Sequence, residues 1–286
     1  MIPAWLLRAL ATVLRRIPVA WKPWRAVAWA AMQIAPGRLR IATANLEAAF
    51  GEASPTDARR VVAHLAQTAW DFLRLPEHRK NGFRAVRVAN IAPLQQALGD
   101  GGAILATGHL GSWELALAAL AQHADGPLAV VVKRLGWLDG WVDDERRRSG
   151  LETIQVDHPS ATLRRALTAL AAGKGVVMVI DQHAPGGRVG PFFGRLAATT
   201  DVPVRLAVRR QRPLLWLNSW REAGDRHRIE VETVWTPGEA GDAAELVARL
   251  NARLEDAIRR HPSQWLWTHR RWKVKTPAAA PPDAER

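Results

Sequence analysis

His109 and Glu114 stand five residues apart in the run 104–114, Ile-Leu-Ala-Thr-Gly-His-Leu-Gly-Ser-Trp-Glu. A carboxylate that holds one imidazole nitrogen fixes the tautomer and makes the other nitrogen more basic. The imidazole is then a general base for a hydroxyl. Spacing decides where such a pair can meet. On one continuous helix the two side chains would point about 140° apart, whereas across a turn they can approach. Two readings of the bare pair stand side by side. One is a base with its supporting carboxylate; the other is a loop histidine and a helix-capping glutamate that only fill space.

The elements around the pair favour a turn. Residues 103–107 are small or apolar and read as a buried strand. Gly108 and Gly111 let the backbone bend sharply. Ser112 is in position to N-cap a helix that opens at Trp113 and continues through Leu115, Leu117 and Leu120. His109 is therefore expected in a strand-to-helix loop and Glu114 in the first helical turn. Loops at the carboxyl ends of strands are where open α/β sheets carry their chemistry. The backbone N–H groups of Gly111 and Ser112, at the start of that helix, are the expected donors to an oxyanion.

Composition removes several alternatives. The chain has no cysteine, so it has no disulfide framework, thiolate nucleophile or cysteine metal site. Ser112 does not sit in Gly-x-Ser-x-Gly, so nothing suggests an acyl-enzyme on a nucleophile elbow. Asp181 and His183 alternate as metal ligands do, but no further ligands complete a set, and no metal or organic cofactor is expected. Lys and Arg number 40 against 27 Asp and Glu, a formal net charge of +13, which favours an anionic partner. Basic balance alone also permits a non-catalytic membrane-surface or nucleic-acid-binding protein. A positioned base speaks against both.

Residues 1–40 contain seven basic and no acidic residues, interleaved with tryptophan and leucine. No apolar run approaches the roughly 18 to 20 residues of a spanning helix, and Pro18 and Pro23 divide the segment. Two amphipathic helices lying in a membrane interface are expected over 1–38. A catalytic domain over 39–275 and a disordered Ala/Pro-rich tail over 276–286 follow. Within the domain, Thr56 and Ser160 are expected helix caps. Strands at 84–90, 128–133, 153–156, 176–180, 214–217 and 228–234 alternate with helices at 94–98, 142–148, 161–172, 204–208 and 245–260. The alternation predicts an α/β fold, a largely parallel central sheet flanked by helices, preceded by the helical membrane-associated segment.

Gly-His-Leu-Gly-Ser-Trp-Glu resembles the His-x4-Glu/Asp signature of glycerolipid-type acyltransferases. It is most similar to the late acyltransferases of lipid A biosynthesis, the lauroyl and myristoyl transferases, with Ser112 in place of their usual Asn. Further matches follow in order: Asn45-Leu-Glu-Ala-Ala-Phe, Arg146 and Arg148 before Gly150, Asp181-Gln182 at a strand end, the loop 189–200 with Phe193 and Arg195, and Pro-Ser-Gln-Trp-Leu-Trp-Thr-His-Arg-Arg-Trp-Lys at 262–273. The resemblance spans about 39–273. It implies that His109 deprotonates an acceptor hydroxyl with support from Glu114. It implies that Arg146 or Arg148 clamps an acceptor phosphate or the oxyanion, and that Asp181 and Gln182 bind substrate, while Asp181 and His183 are expected to shape the pocket without ligating an ion. Phe193 offers an apolar wall and Arg195 an anion contact. The implied donor is an acyl thioester on acyl carrier protein or coenzyme A, and the implied acceptor is a lipid A precursor or related glycolipid. Alternative acceptors are a lysophospholipid, an aminolipid or a phosphoinositide mannoside. The implied location is the cytoplasmic face of a bacterial inner membrane, peripheral or monotopic, with an anionic membrane surface and no nucleic acid as partner.

Overall fold

The computed structural model describes residues 12–14, 16–17 and 21–274. The expected tail at 276–286 and most of the first expected amphipathic helix lie outside the described residues. The strands are β1 (Val86–Ala89), β2 (Ala103–Thr107), β3 (Leu128–Lys133), β4 (Leu151–Val156), β5 (Gly175–Val179), β6 (Arg188–Phe192), β7 (Arg195–Thr199), β8 (Leu214–Arg221) and β9 (His227–Trp235). The helices are α1 (Trp24–Ile34), α2 (Pro36–Phe50), α3 (Ala58–Leu73), α4 (Leu75–Lys80), α5 (Ala92–Gly99), α6 (Trp113–His123), α7 (Asp139–Arg148), α8 (Pro159–Ala171), α9 (Val202–Arg210) and α10 (Ala243–Arg260).

Seven strands form the central sheet in the order β1-β9-β8-β2-β5-β3-β4. The inner strands β2 (AILAT) and β5 (GVVMV) are almost uninterrupted apolar runs, as strands covered on both faces must be. Ile104, Ala106, Val176, Met178, Leu214 and Trp216 point to one face, packed under α8, α9 and α10. Ala103, Leu105, Val177, Leu215 and Leu217 point to the other, packed under α5 and α6.

The sheet departs from the expectation at one edge. β8 and β9 are antiparallel, because the few residues between them permit a hairpin and not a crossover. β1 joins β9 in parallel, so these two strands run against the other five. The expected loop at 189–200 is a second sheet, the antiparallel hairpin β6–β7. Its turn is Phe193-Gly194, both with positive φ (53° and 68°), as a two-residue hairpin turn of right-handed twist requires. A bulky residue is strained there. Phe193 is held by its N–H donating to Glu255 Oε2 at 2.7 Å.

Helix starts also differ in detail. Asp57, not Thr56, caps α3, its carboxylate accepting from the Arg60 N–H at 2.9 Å. α8 begins at Pro159, a favoured first helical residue, so Ser160 lies inside it and His158 holds the cap position. Nearer the amino terminus, α1 lies on α3, with Trp24 and Ala28 packed against Val62, Ala66 and Trp70. Its outer side leaves Trp29 64% and Ile34 83% exposed, with Trp21 76% exposed just before it. α2 runs through the expected boundary at 38/39. No helix among the described residues is long and apolar enough to cross a membrane.

Candidate active site

β2 delivers His109 to the carboxyl end of the sheet, and β5 delivers Asp181 beside it. The His109 Nδ1 lies 2.8 Å from Asp181 Oδ1, and the His109 backbone N–H donates to Oδ2 at 2.7 Å. The Trp265 indole N–H donates to the same Oδ2 at 2.8 Å. Asp181 is buried, while the His109 side chain keeps 19% of its surface exposed. With Nδ1 on a carboxylate, the proton sits on Nδ1 and Nε2 is left as the basic nitrogen. Nε2 has no hydrogen-bond partner among the described residues.

The electrostatics favour a strong base. Burial alone pulls the imidazole pKa down, but the charge and hydrogen bond of Asp181, with the charge of Glu114, outweigh it, and the pKa is raised. Burial pushes Asp181 the other way, and its bonds to His109 and Trp265 overcome this and bring it down to about 2. The pair therefore shares a proton readily on the His109 side. Trp113 closes one flank, its ring edge-on to the imidazole at 5.0 Å between centroids.

Glu114 lies in the first turn of α6, as its spacing predicts, but its hydrogen bonds go to Arg146 of α7. Nε meets Oε2 at 3.0 Å and Nη2 meets Oε1 at 2.5 Å. Arg146 also donates to Asp143 Oδ1 at 3.2 Å. Such a two-pronged contact fixes geometry as well as charge. Glu114 thus reaches His109 through its charge, and the carboxylate hydrogen-bonded to the imidazole is Asp181 instead of the expected Glu114.

The loop between the two is held from behind. Gly111 has φ +62°, and a Cβ there would lie 2.7 Å from the Ser219 carbonyl oxygen, so the close approach of β8 requires glycine. Its N–H donates to the Gln264 carbonyl at 3.0 Å and is thereby committed. Its carbonyl accepts from Thr68 Oγ1 and His64 Nε2, both at 3.2 Å. Burial, with nearby Arg221, lowers His64 to about 4, so it is neutral at pH 7 and Nε2–H is the donor. Ser112 occupies the cap position without a side-chain cap bond, and its buried Oγ has no partner. The N–H groups of Ser112, Trp113 and Glu114 have no acceptor among the described residues, as the first turn of a helix leaves them.

The remaining expected site residues divide. Gln182 adjoins Asp181 and takes the Lys133 ammonium on Oε1 at 3.0 Å. Arg148 points outward, 55% exposed, 3.5 Å from Glu145. Phe193 is buried among Phe50, Phe192 and Trp267, under the Arg259 guanidinium, and Arg195 lies exposed on the hairpin. His64, Thr68, Gln264 and Trp265 were not singled out individually by sequence reasoning. The last two lie in the matching segment 262–273, which was the available signal. Asn45 explains why that segment and the α2 motif go together: its Nδ2 donates to the carbonyls of Trp267 at 2.6 Å and His269 at 2.7 Å.

The sequence model of the family described as bacterial lipid A biosynthesis acyltransferase matches residues 1–274. The chain belongs to the bacterial lipid A biosynthesis acyltransferase family. No curated protein matches the chain. Lipid A acyltransferases join an acyl group to a lipid acceptor. Several polar groups meet at the carboxyl end of this sheet. They comprise a histidine with one nitrogen held and one open, unpaired backbone N–H groups, and a clamped arginine.

Proposed function

We propose that this protein moves a fatty acyl group from an acyl thioester to a hydroxyl of a lipid A precursor, with His109 as general base. The supporting observation is the His109–Asp181 contact, which holds Nδ1 and leaves Nε2 open. Nε2 takes the proton of the acceptor hydroxyl as its oxygen attacks the thioester carbonyl. The oxyanion is received by the unpaired N–H groups at the start of α6, those of Ser112, Trp113 and Glu114. Collapse breaks the carbon–sulfur bond, and the proton passes from Nε2 to the departing thiolate. The products are an ester and a free thiol. Asp181 orients the ring, and Glu114 stabilises the imidazolium that forms. Arg146 fixes Glu114.

The acyl donor in this reading is acyl carrier protein, an acidic partner suited to a chain of net charge +13. The protein works on an anionic membrane surface, at the cytoplasmic face of the inner membrane, which it meets through Trp21, Trp29 and Ile34. The test is acyl transfer by His109→Ala, with circular dichroism as the folding control. Loss of general base catalysis lowers turnover by roughly 10²–10⁴-fold without changing the spectrum. A folded His109→Ala protein with near-normal turnover overturns the assignment.

A further inference from the structure

Arg146 has its charge answered by Glu114 and Asp143. Lys133, Arg271 and Lys273, near Asp181, have no ion pair among the described residues. Lys133 leaves the end of β3 and donates to Gln182 Oε1 at 3.0 Å. The Gln182 carbonyl accepts from Arg271 Nη1, also at 3.0 Å, so one residue beside Asp181 ties both cations to the site. The C-terminal segment runs past His109, the Leu266 N–H donating to the His109 carbonyl at 3.2 Å. It brings His269, Arg271 and Lys273 to the same corner.

Arg271 is fully buried. Its guanidinium donates to the Gln182 and Ala198 carbonyls and to Thr199 Oγ1, all neutral oxygens, and its Nε is unpaired. His183 and His269 each carry a buried Nδ1 without a partner. No carboxylate lies within ion-pair distance of Lys133, His183, His269, Arg271 or Lys273 among the described residues. Burial and the neighbouring Lys133 and Lys273 charges bring His269 down to about 4, against the pull of Asp181. Unpaired buried donors are costly, and so is a buried cation that the charge of Asp181 reaches without an ion pair. An anion with several acceptor oxygens relieves both at once, and phosphate matches that need with charge-assisted bonds.

We propose that Lys133, His183, His269 and Lys273, backed by the buried Arg271, form a phosphate subsite that anchors a phosphate group of the lipid acceptor beside His109. The inference rests on the acyltransferase reading for its choice of ligand. The subsite holds the acceptor by its phosphate so that a hydroxyl elsewhere on the same molecule reaches Nε2. His183 and His269 offer N–H donors, the lysines offer charge, and Arg271 keeps the Gln182 and Ala198 carbonyls turned away from the anion.

Two measurements on the full chain separate this from the reading it rests on. In neutral detergent micelles, the KM for a lipid A precursor bearing its phosphates is compared with that for the same precursor after dephosphorylation. Wild type is expected to show a KM about tenfold lower for the phosphorylated acceptor. The Lys133→Gln/Lys273→Gln protein is expected to lose that preference while keeping the donor KM. Equal wild-type KM values, or a variant effect confined to the donor, overturn the proposal. Independently of turnover, inorganic phosphate is titrated while the imidazole signals of His183 and His269 are followed by NMR. Shifts that saturate in wild type and vanish in the double variant uphold the subsite even in a protein with no acyl transfer. Signals that do not move overturn it, even in an active one.

Discussion

Both oxygens of Glu114 carry a hydrogen bond from Arg146, Oε2 to Nε at 3.0 Å and Oε1 to Nη2 at 2.5 Å. The side chains are only 16% and 6% exposed. Removing one partner of such a pair strands the other charge away from water.

Arg146→Ala is therefore expected to destabilise the fold by about 3–5 kcal/mol, the usual cost of breaking a buried pair. Thermal unfolding reads the loss. With Glu114→Gln added, the double variant should be less destabilised than the two single losses predict together. Strictly additive losses would show that the two residues do not act as a unit.

Asp181→Asn tests the source of the raised His109 pKa. Burial lowers this imidazole, and the charge of Asp181 is what reverses the effect. Without that charge, the pKa falls. The proposed reaction requires His109 unprotonated, so the rising limb of kcat/KM against pH should move to lower pH while the plateau drops. A limb that stays in place, with the fold intact, means that Asp181 does not set the base.

His64 makes stability depend on pH in a stated window. Its folded pKa is about 4 against an ordinary 6.5. Between these values the unfolded chain binds a proton that the folded protein refuses, so stability falls as pH drops from 6.5 toward 4 and this contribution is unchanged above 6.5. The loss from this group is on the order of 3 kcal/mol. Denaturant unfolding at pH 7 and pH 4.5 should show a smaller difference in His64→Gln than in wild type. An identical pH dependence in the two proteins removes His64 from the account.

Trp29 and Ile34 stand on the outer side of α1, away from its contact with α3. Trp29→Ser/Ile34→Ser is expected to weaken binding to anionic phosphatidylglycerol vesicles several-fold with no change in melting temperature. Added salt should weaken wild-type binding as well, since basic residues near such a surface contribute about 1 kcal/mol each. Unaltered vesicle binding by the double serine variant would place the membrane contact elsewhere.

Much of this was legible in the sequence because it is local. The apolar run of β2, the two glycines and the start of α6 lie within fifteen residues and obey rules of strand burial and helix capping. Local pattern also placed Glu114 in the first turn of α6. It could not show which carboxylate would meet His109, because Asp181 arrives through a strand pairing, β2 with β5, that only the assembled sheet creates. The same holds for Trp265, and for His64 and Thr68, whose partner is a backbone carbonyl of the loop. The β6–β7 hairpin was hidden by its turn, since Phe193 at positive φ violates the glycine and asparagine preference by which such turns are recognised. The reversal at β9 had no signal beyond the short connection after Arg221.

The contact between Leu110 and Trp265, a single bridge between the histidine loop and the C-terminal segment, sets an order of events at the ribosome. Chains fold from the amino end as they emerge. α1, with its outward tryptophan, is made before β2 and His109, and the indole that completes the Asp181 bonds is translated later than either. A nascent chain carries α1 and its exposed Trp29 well before the indole that holds Asp181. Synthesis interrupted between the two leaves a chain that has the outward face of α1 and the histidine of the β2 loop, but whose Asp181 lacks one of its donors.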